Sequence, residues 1–248
     1  MTQNKTLIAV VTAIHREHWR KAIRETWLPM VPQGVDVVFF MGTDKDVLLA
    51  GDEVYLNCDD SYQGLPEKIR SICKYAYDYG YEYMLKCDDD TVLNPKELLA
   101  SGYEKHKYSG RANRYPNADR PFTVPVGFNW WIDRDCMEII KESALPADGS
   151  NDDEKWVASK LHEYGISLVN APGYEIHMGI DEWPERKGHI KLYRPLKPPP
   201  IPKFNSDAFS WTVFMEADSG DAIPLEKKLA EFHKVFGMFK KTNAFASV

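Results

Sequence analysis

Three consecutive carboxylates, Asp88, Asp89 and Asp90, close an apolar run that extends from Tyr81 to Cys87 and carries Lys86 near its end. The run reads as a β-strand, and in open α/β sheets the carboxyl ends of strands are where ligands bind. With a strand period of two, Asp88 and Asp90 project to one side and Asp89 to the other. Two converging carboxylates suit a cation. Oxygen-only donors favour Mg²⁺ or Mn²⁺, ions that keep water positions and share a phosphate oxygen with a substrate. The competing reading is a solvated acidic turn.

The elements that must position this triplet alternate between strand-like and helix-like segments, the pattern of an α/β domain with a largely parallel sheet. Leu7 to Val11 and Val35 to Met41 read as buried strands, and Glu53 to Asn57 as a shorter third. Between the first two, Trp19, Ile23 and Trp27 recur at helical spacing over Glu17 to Leu28, before Pro29, Pro32 and Gly34 end the helix. A second helix starts at Leu65 and Pro66 and stops at Gly80. Asn94, Pro95 and Glu97 form the signature of a helix start with a capping box. Ser109 to Arg120 reads as a turn-rich tract ahead of the run Phe122 to Ile132. A helix is expected from Asp153 to Tyr164, followed by a late strand over Ile166 to Asn170.

Composition excludes several classes. Lys plus Arg number 31 against 37 Asp plus Glu, and the net charge of −6 offers no basic field for nucleic acid or acidic lipid. The longest apolar runs fall far short of the roughly 18 residues of a membrane span, and the chain opens without a signal-peptide core, so no membrane anchor is expected. Cys58, Cys73, Cys87 and Cys136 show no paired spacing and read as free thiols in a reducing compartment. The tract Pro195 to Pro202 favours extended polyproline geometry. Accordingly, residues 1–195 are expected as the main domain, 196–222 as a linker and 223–248 as an amphipathic helix. That helix, striped by Leu225, Leu229, Phe232, Phe236 and Phe239, either packs back or opens a further domain.

Three segments resemble the β-1,3-galactosyltransferase and Fringe-like glycosyltransferases. Arg20 to Trp27 is similar to their R-x-A-I-R-x-T-W element, Asp60 to Lys68 to D-S-Y-x-N-L-T-x-K, and Lys86 to Asn94 to K-x-D-D-D-x-F-V-N, in the same order and spacing. Pro125 to Phe128 and Asn151 to Asp153 match more loosely, and the resemblance spans residues 5 to 180. The anchorless form is closer to chlorella-virus capsid-glycosylating members, acting in host-cell cytoplasm, than to a Golgi enzyme with a signal anchor and luminal disulfides.

The resemblance implies a GT-A fold (Rossmann-like, mixed but mostly parallel), a UDP-sugar donor, Mn²⁺ or Mg²⁺, a glycan or glycoprotein acceptor, and inversion at the anomeric carbon. Asp90 would coordinate the metal. Asp88 would lie near the donor ribose or the metal waters, with Asp89 beside it in the donor site. His177 would be a late metal ligand, with His189 as second choice. Asp153, paired with Asp152, would be the base; the rival reading makes either one a helix cap, and Glu154, Lys155 and Trp156 depart from the family's small and β-branched residues. Thr12, Ala13, Ile14, His15 and Arg16 would lie against the nucleoside, with Asp44 at the neighbouring strand end, while Arg20, Arg24 and Lys68 are candidates for the diphosphate. Gly127, Asn129, Trp130 and Trp131 suit a sugar or acceptor. Because neighbours in a strand point oppositely, one Trp is expected in the core and the other free for a sugar face, with Asp133 and Arg134 nearby. Two other functions use the same residues: a metal-dependent phosphoesterase or nucleotidyltransferase, and a non-catalytic carbohydrate-binding module.

Overall fold

The computed structural model describes residues 5–45, 48–112, 121–171, 174–176 and 210–212, together with 226, 229–230, 232–234 and 236–237. In chain order the elements are β1 (Thr6–Val11), α1 (Glu17–Glu25), β2 (Val35–Thr43), β3 (Leu48–Ala50), β4 (Glu53–Asn57), α2 (Leu65–Asp78), β5 (Tyr83–Asp88), β6 (Thr91–Leu93), α3 (Pro95–Leu99), β7 (Tyr108–Ala112), β8 (Pro125–Asp133), α4 (Arg134–Glu142), α5 (Asp153–Glu163), β9 (Val169–Asn170), β10 (Tyr174–Ile176) and β11 (Ser210–Thr212). An eight-stranded sheet runs β3-β4-β2-β1-β5-β8-β7-β9, and a three-stranded sheet runs β10-β11-β6. Strands β4, β2, β1 and β5 are parallel, whereas β8 is antiparallel to both β5 and β7. This is the α/β architecture expected from the alternating elements, in the mixed, Rossmann-like form that the resemblance implies.

The unbroken apolar strands follow from a sheet covered on both faces. Along β1, Leu7, Ala9 and Val11 enter the core beneath α2, α4 and α5, where Ile69, Ile72, Met137 and Leu161 meet them. Ile8 and Val10 enter the opposite core with Trp19, Ile23 and Trp27. The same alternation along β5 sends Met84 to the first core and Leu85 and Cys87 to the second, so Lys86 lies on the face that α5 covers. Helix α2 ends at Gly80, whose φ of 77° is the left-handed conformation that favours glycine.

Several expected boundaries shift. The helix expected to reach Leu28 stops at Glu25, and a 3₁₀ turn over Leu28–Met30 replaces its last residues, as Pro29 dictates. The tract Ser109 to Arg120 is not wholly turn: its first residues belong to β7, which reaches pairing partners on β8 and β9 that local propensity does not register. Helix α4 was not apparent as an element. It begins at Asp133, whose carboxylate accepts a hydrogen bond from the Cys136 amide at 2.9 Å. Asn94 precedes α3 without making the expected side-chain cap. Of the late strand, only Val169–Asn170 pairs.

Within the stretch expected as a linker, residues 210–212 form β11, antiparallel to β6 and therefore adjacent to the acidic turn. The proline tract itself lies outside the described residues. Phe232 is fully buried against Trp19, ring centroids 5.6 Å apart, with Leu229 and Phe236 packed on the same core. Phe232→Ala should therefore cost about 3–5 kcal/mol in urea unfolding, as for other buried phenylalanines.

Candidate active site

Strand β5 lies beside β1, and Val11 pairs with Asp88, so the loop after β1 and the acidic turn after β5 emerge side by side. The strand alternation does not continue past Asp88, because Asp89 and Asp90 form the turn into β6. Asp89 instead folds back toward β1: it accepts a 2.6 Å hydrogen bond from the Thr12 hydroxyl and a two-pronged contact from Arg16, 2.6 Å from Nη2 and 2.8 Å from Nε. Asp89 is thus neutralised within the fold. Asp90 is buried, with Oδ1 making no hydrogen bond, and burial beside Asp89 and Asp88 raises its pKa well above the usual carboxylate range.

Asp88 is held by Lys86, Nζ to Oδ1 2.8 Å. The same ammonium lies 3.4 Å from Glu154 and 3.9 Å from Asp153, both at the start of α5. Burial pushes Asp88 and Asp153 up to about 6, against the pull of Lys86, and pushes Glu154 up to about 8 with help from Asp153. Asp152 is the cap of α5, accepting from the Lys155 amide at 2.9 Å, while Asp153 is turned inward with Oδ2 buried and without a hydrogen bond. This leaves Asp153 free of capping duty and faces it toward the β5 strand end.

A second ion pair organises the loop after β1. Asp60 accepts from the backbone amides of Ile14 at 2.7 Å and Gly42 at 2.6 Å, and from Lys68 Nζ at 2.7 Å, joining the ends of β1, β2 and α2. Lys68 also donates to the Thr12 carbonyl at 2.9 Å. A Cβ on Gly42 would lie 2.6 Å from the Cys58 carbonyl oxygen, so the chain crosses here only because position 42 is glycine. Neither Asp60 nor Lys86 stood out as a site residue from its type; each required knowledge of what faces it across the sheet. The eight-residue interval from Asp60 to Lys68 was the available signal.

Thr12, Ala13, Ile14 and Arg16 come together beside Asp88, Asp89 and Asp90, and Ile14 is half exposed. Asp44 lies exposed just after β2. Arg20 is buried and donates to the carbonyls of Ala13 and Ile14, at 2.6 and 3.2 Å, and to Glu53; it shapes the loop from beneath. Arg24 is tied to Asp52 and Glu53 across α1 and β4. Lys68 and Arg20 thus serve the loop's backbone in this structure, and Arg24 an ion pair away from the acidic turn.

On β8 the expectation of one exposed tryptophan is corrected. Trp130 and Trp131 do point oppositely, but helices cover both faces, so both are buried: Trp130 against Tyr108 and Trp131 stacked on Tyr103 at 3.9 Å. Asn129 is buried opposite Cys87, and Gly127 lies further along β8. Asp133 caps α4, and Arg134 donates to the carbonyls of Tyr77 and Tyr81, so both serve the scaffold. His177 and His189 lie outside the described residues.

Among the described residues no three His, Cys, Asp or Glu side chains form a metal-ligand set. The donor chemistry nevertheless fits a hard divalent ion that takes most of its ligands from water and phosphate: Asp88 and Asp90 offer carboxylate oxygens, and Asp90 Oδ1 is buried with no hydrogen bond. Asp88, Asp89, Asp90, Asp153 and Glu154 also outnumber Arg16 and Lys86, leaving negative charge that a cation would offset.

Residues 18–115 match the Galactosyltransferase family model. A protein of Arabidopsis thaliana named Probable beta-1,3-galactosyltransferase 13 is 29% identical over 111 residues, covering 37% of this chain and 32% of that protein. A hydroxyproline O-galactosyltransferase of the same plant is 21% identical over 194 residues, covering 71% of this chain and 28% of that protein. The chain thus spans about a third of the length of these relatives. The matched segment runs from α1 to just beyond β7 and includes the acidic turn after β5.

Two outcomes follow for stability. Asp60→Ala strands the buried Lys68 ammonium and frees two loop amides, an expected loss of about 3–5 kcal/mol by chemical denaturation. Asp88 and Asp153 bind protons more tightly in the folded state, at about 6, than an ordinary aspartate does at 3.8. The native state therefore holds more protons between these values, and their contribution lowers stability as pH rises through that window. Asp153→Asn should raise Tm by a few degrees relative to wild type at pH ~7.5 and by less at pH ~4.5 in calorimetry.

Proposed function

We propose, from the β-1,3-galactosyltransferase likeness of the matched segment, that this chain is a metal-dependent, inverting glycosyltransferase. It moves a hexose or deoxyhexose from a UDP-sugar to a glycan or glycoprotein acceptor. The observation that carries this reading is Asp90: a buried carboxylate, Oδ1 without a hydrogen bond, on the turn that ends β5 within the segment matched by the family model. We further propose a reducing compartment as its place of action, supported by Cys58, Cys73, Cys87 and Cys136, all buried as free thiols.

In this reading the loop over Thr12, Ala13 and Ile14, fixed by Asp60, Lys68 and Arg20, receives the nucleoside. Arg16 holds Asp89 back, so that Asp90 and Asp88 are the carboxylates left for a cation. They would hold a divalent ion, which would supply Lewis-acid stabilisation of the charge that develops on the leaving diphosphate. Asp153 accepts the proton of the attacking acceptor hydroxyl, and Lys86 keeps its carboxylate beside the donor site.

The test is calorimetric titration of UDP with and without Mn²⁺, on wild type and on Asp90→Ala. Metal-dependent binding is expected, weakened about 100-fold or more in the variant, with the circular dichroism spectrum of the fold retained. Absence of UDP binding with both Mn²⁺ and Mg²⁺ would sink the proposal. Phosphate release without any acceptor sugar transfer would redirect it to a phosphoesterase.

A further inference from the structure

Strand β2 is longer than its outer neighbour. It pairs with β1 from Val35 to Phe40, but β4 joins it only from Phe39 onward. Over residues 35–38 the outer side of β2 therefore has no strand beside it among the described residues. The two ladders fix which atoms face that side. The Thr12 amide donates to the Phe40 carbonyl on the β1 side at 3.1 Å, whereas the Phe39 amide donates to the Asp52 carbonyl on the β4 side at 2.8 Å. Backbone groups alternate between the two sides along a strand, so Val37, two residues before Phe39, turns its N–H and C=O outward.

A cavity of about 530 Å³, within the size range of ligand pockets, opens along this edge. It lies at the opposite end of the sheet from the acidic turn. Thr6 pairs with Val35 and Val11 with Asp88, so the length of β1, roughly 17 Å at 3.3 Å per residue, separates the two. The faces beside the edge differ. Val35 and Val37 point to the α1 face, where Leu28 and Val31 line the same cavity. Asp36 points the other way, its side chain 49% exposed, and accepts a hydrogen bond from the Tyr81 hydroxyl at 2.7 Å. The charges on the lining are two carboxylates, Asp36 and Asp52. Arg24 satisfies Asp52 at 2.7 Å, whereas Asp36 has only a long, exposed contact with Lys5 at 3.9 Å.

An open strand edge is a template for another strand. We propose that this edge receives an extended peptide segment of a partner protein, in which aliphatic residues alternate with basic ones. The partner's main chain pairs with Val37, its aliphatic side chains enter between Leu28, Val31 and Val37, and its basic side chains reach Asp36. The alternation follows from the strand period of two, which sends successive side chains to the apolar and the acidic face in turn. A sugar is held chiefly by aromatic faces, and this lining offers aliphatic walls with a single tyrosine, whose hydroxyl is already given to Asp36. The site shares no residue with the acidic turn or the loop after β1, and the inference does not depend on the glycosyltransferase reading.

The test is fluorescence anisotropy of a labelled pentapeptide of alternating valine and lysine, titrated with the full chain. Saturable binding is expected, weakened about tenfold or more when glutamate replaces lysine in the peptide. N-methylation of two adjacent central peptide amides removes main-chain donors without altering the protein, and is expected to weaken binding about tenfold. Asp36→Asn keeps the acceptor for Tyr81 and removes the charge; a loss of about threefold is expected, with the circular dichroism spectrum unchanged. In the nitrogen-15-labelled chain the Val37 amide signal is expected to shift on binding. No saturable binding up to about 1 mM, equal binding of the glutamate peptide, or indifference to N-methylation overturns the proposal. So do shifts that leave Val37 and its neighbours unmoved. A concentration-dependent dimer in analytical ultracentrifugation that excludes the peptide assigns the edge to a second copy of the chain and also overturns it, as does lactose moving the Val37 signal where the peptide does not.

Discussion

A single ammonium group, Lys86 Nζ, lies buried between the last turn of a central strand and the first turn of a helix, and the arrangement of the site depends on it. An isolated buried lysine would cost several kcal/mol and would lose its charge. Three carboxylates within 4 Å keep it charged: Asp88 from its own strand, and Asp153 and Glu154 from α5. The pairing fixes where α5 begins relative to β5, and so brings the acidic turn and the helix start to one place. It also leaves an excess of negative charge that protons or a cation must offset.

The loop after β1 repeats the device with less excess. Asp60 and Lys68 join three chain ends, and Asp89 is closed off by Arg16 and Thr12. Each of these ion pairs is built from residues far apart in sequence, and each fixes backbone atoms of the loop after β1. Removing one member would leave the other charged and buried, which is why such pairs serve geometry more than net stability. The same loop is supported from below by Arg20, whose guanidinium binds the Ala13 and Ile14 carbonyls. Rigid strand ends with charges held in place are the preorganisation that transfer of a charged leaving group requires.

The sheet that carries these groups is covered on both faces, and the covering reaches unexpectedly far along the chain. Phe232 completes the core around Trp19, and β11 pairs with β6 immediately after the acidic turn. Segments beyond residue 200 therefore contribute to both the core and the strand next to the site.

What the sequence by itself determined is local and periodic. The buried strands β1, β2 and β5, the helices α1, α2 and α5, the α/β class and the position of the acidic triplet at a strand end are all legible in hydrophobic period, glycine and proline placement, and the run Asp88 to Asp90. The likeness to a transferase family was legible in three spaced segments. What only the tertiary structure decided is which charges meet. Strand alternation predicted that Trp130 and Trp131 diverge but not that both faces are filled. It predicted that Asp88 and Asp90 align, but the turn at Asp89 broke the period and sent that residue to Arg16. Which of Asp152 and Asp153 caps α5 was open until the helix start was placed, with Asp152 as the cap and Asp153 turned toward Lys86. The physical reason is common to all of these: a side chain's period follows from its own segment, whereas burial, ionisation and pairing depend on what another segment places within a few ångströms of it.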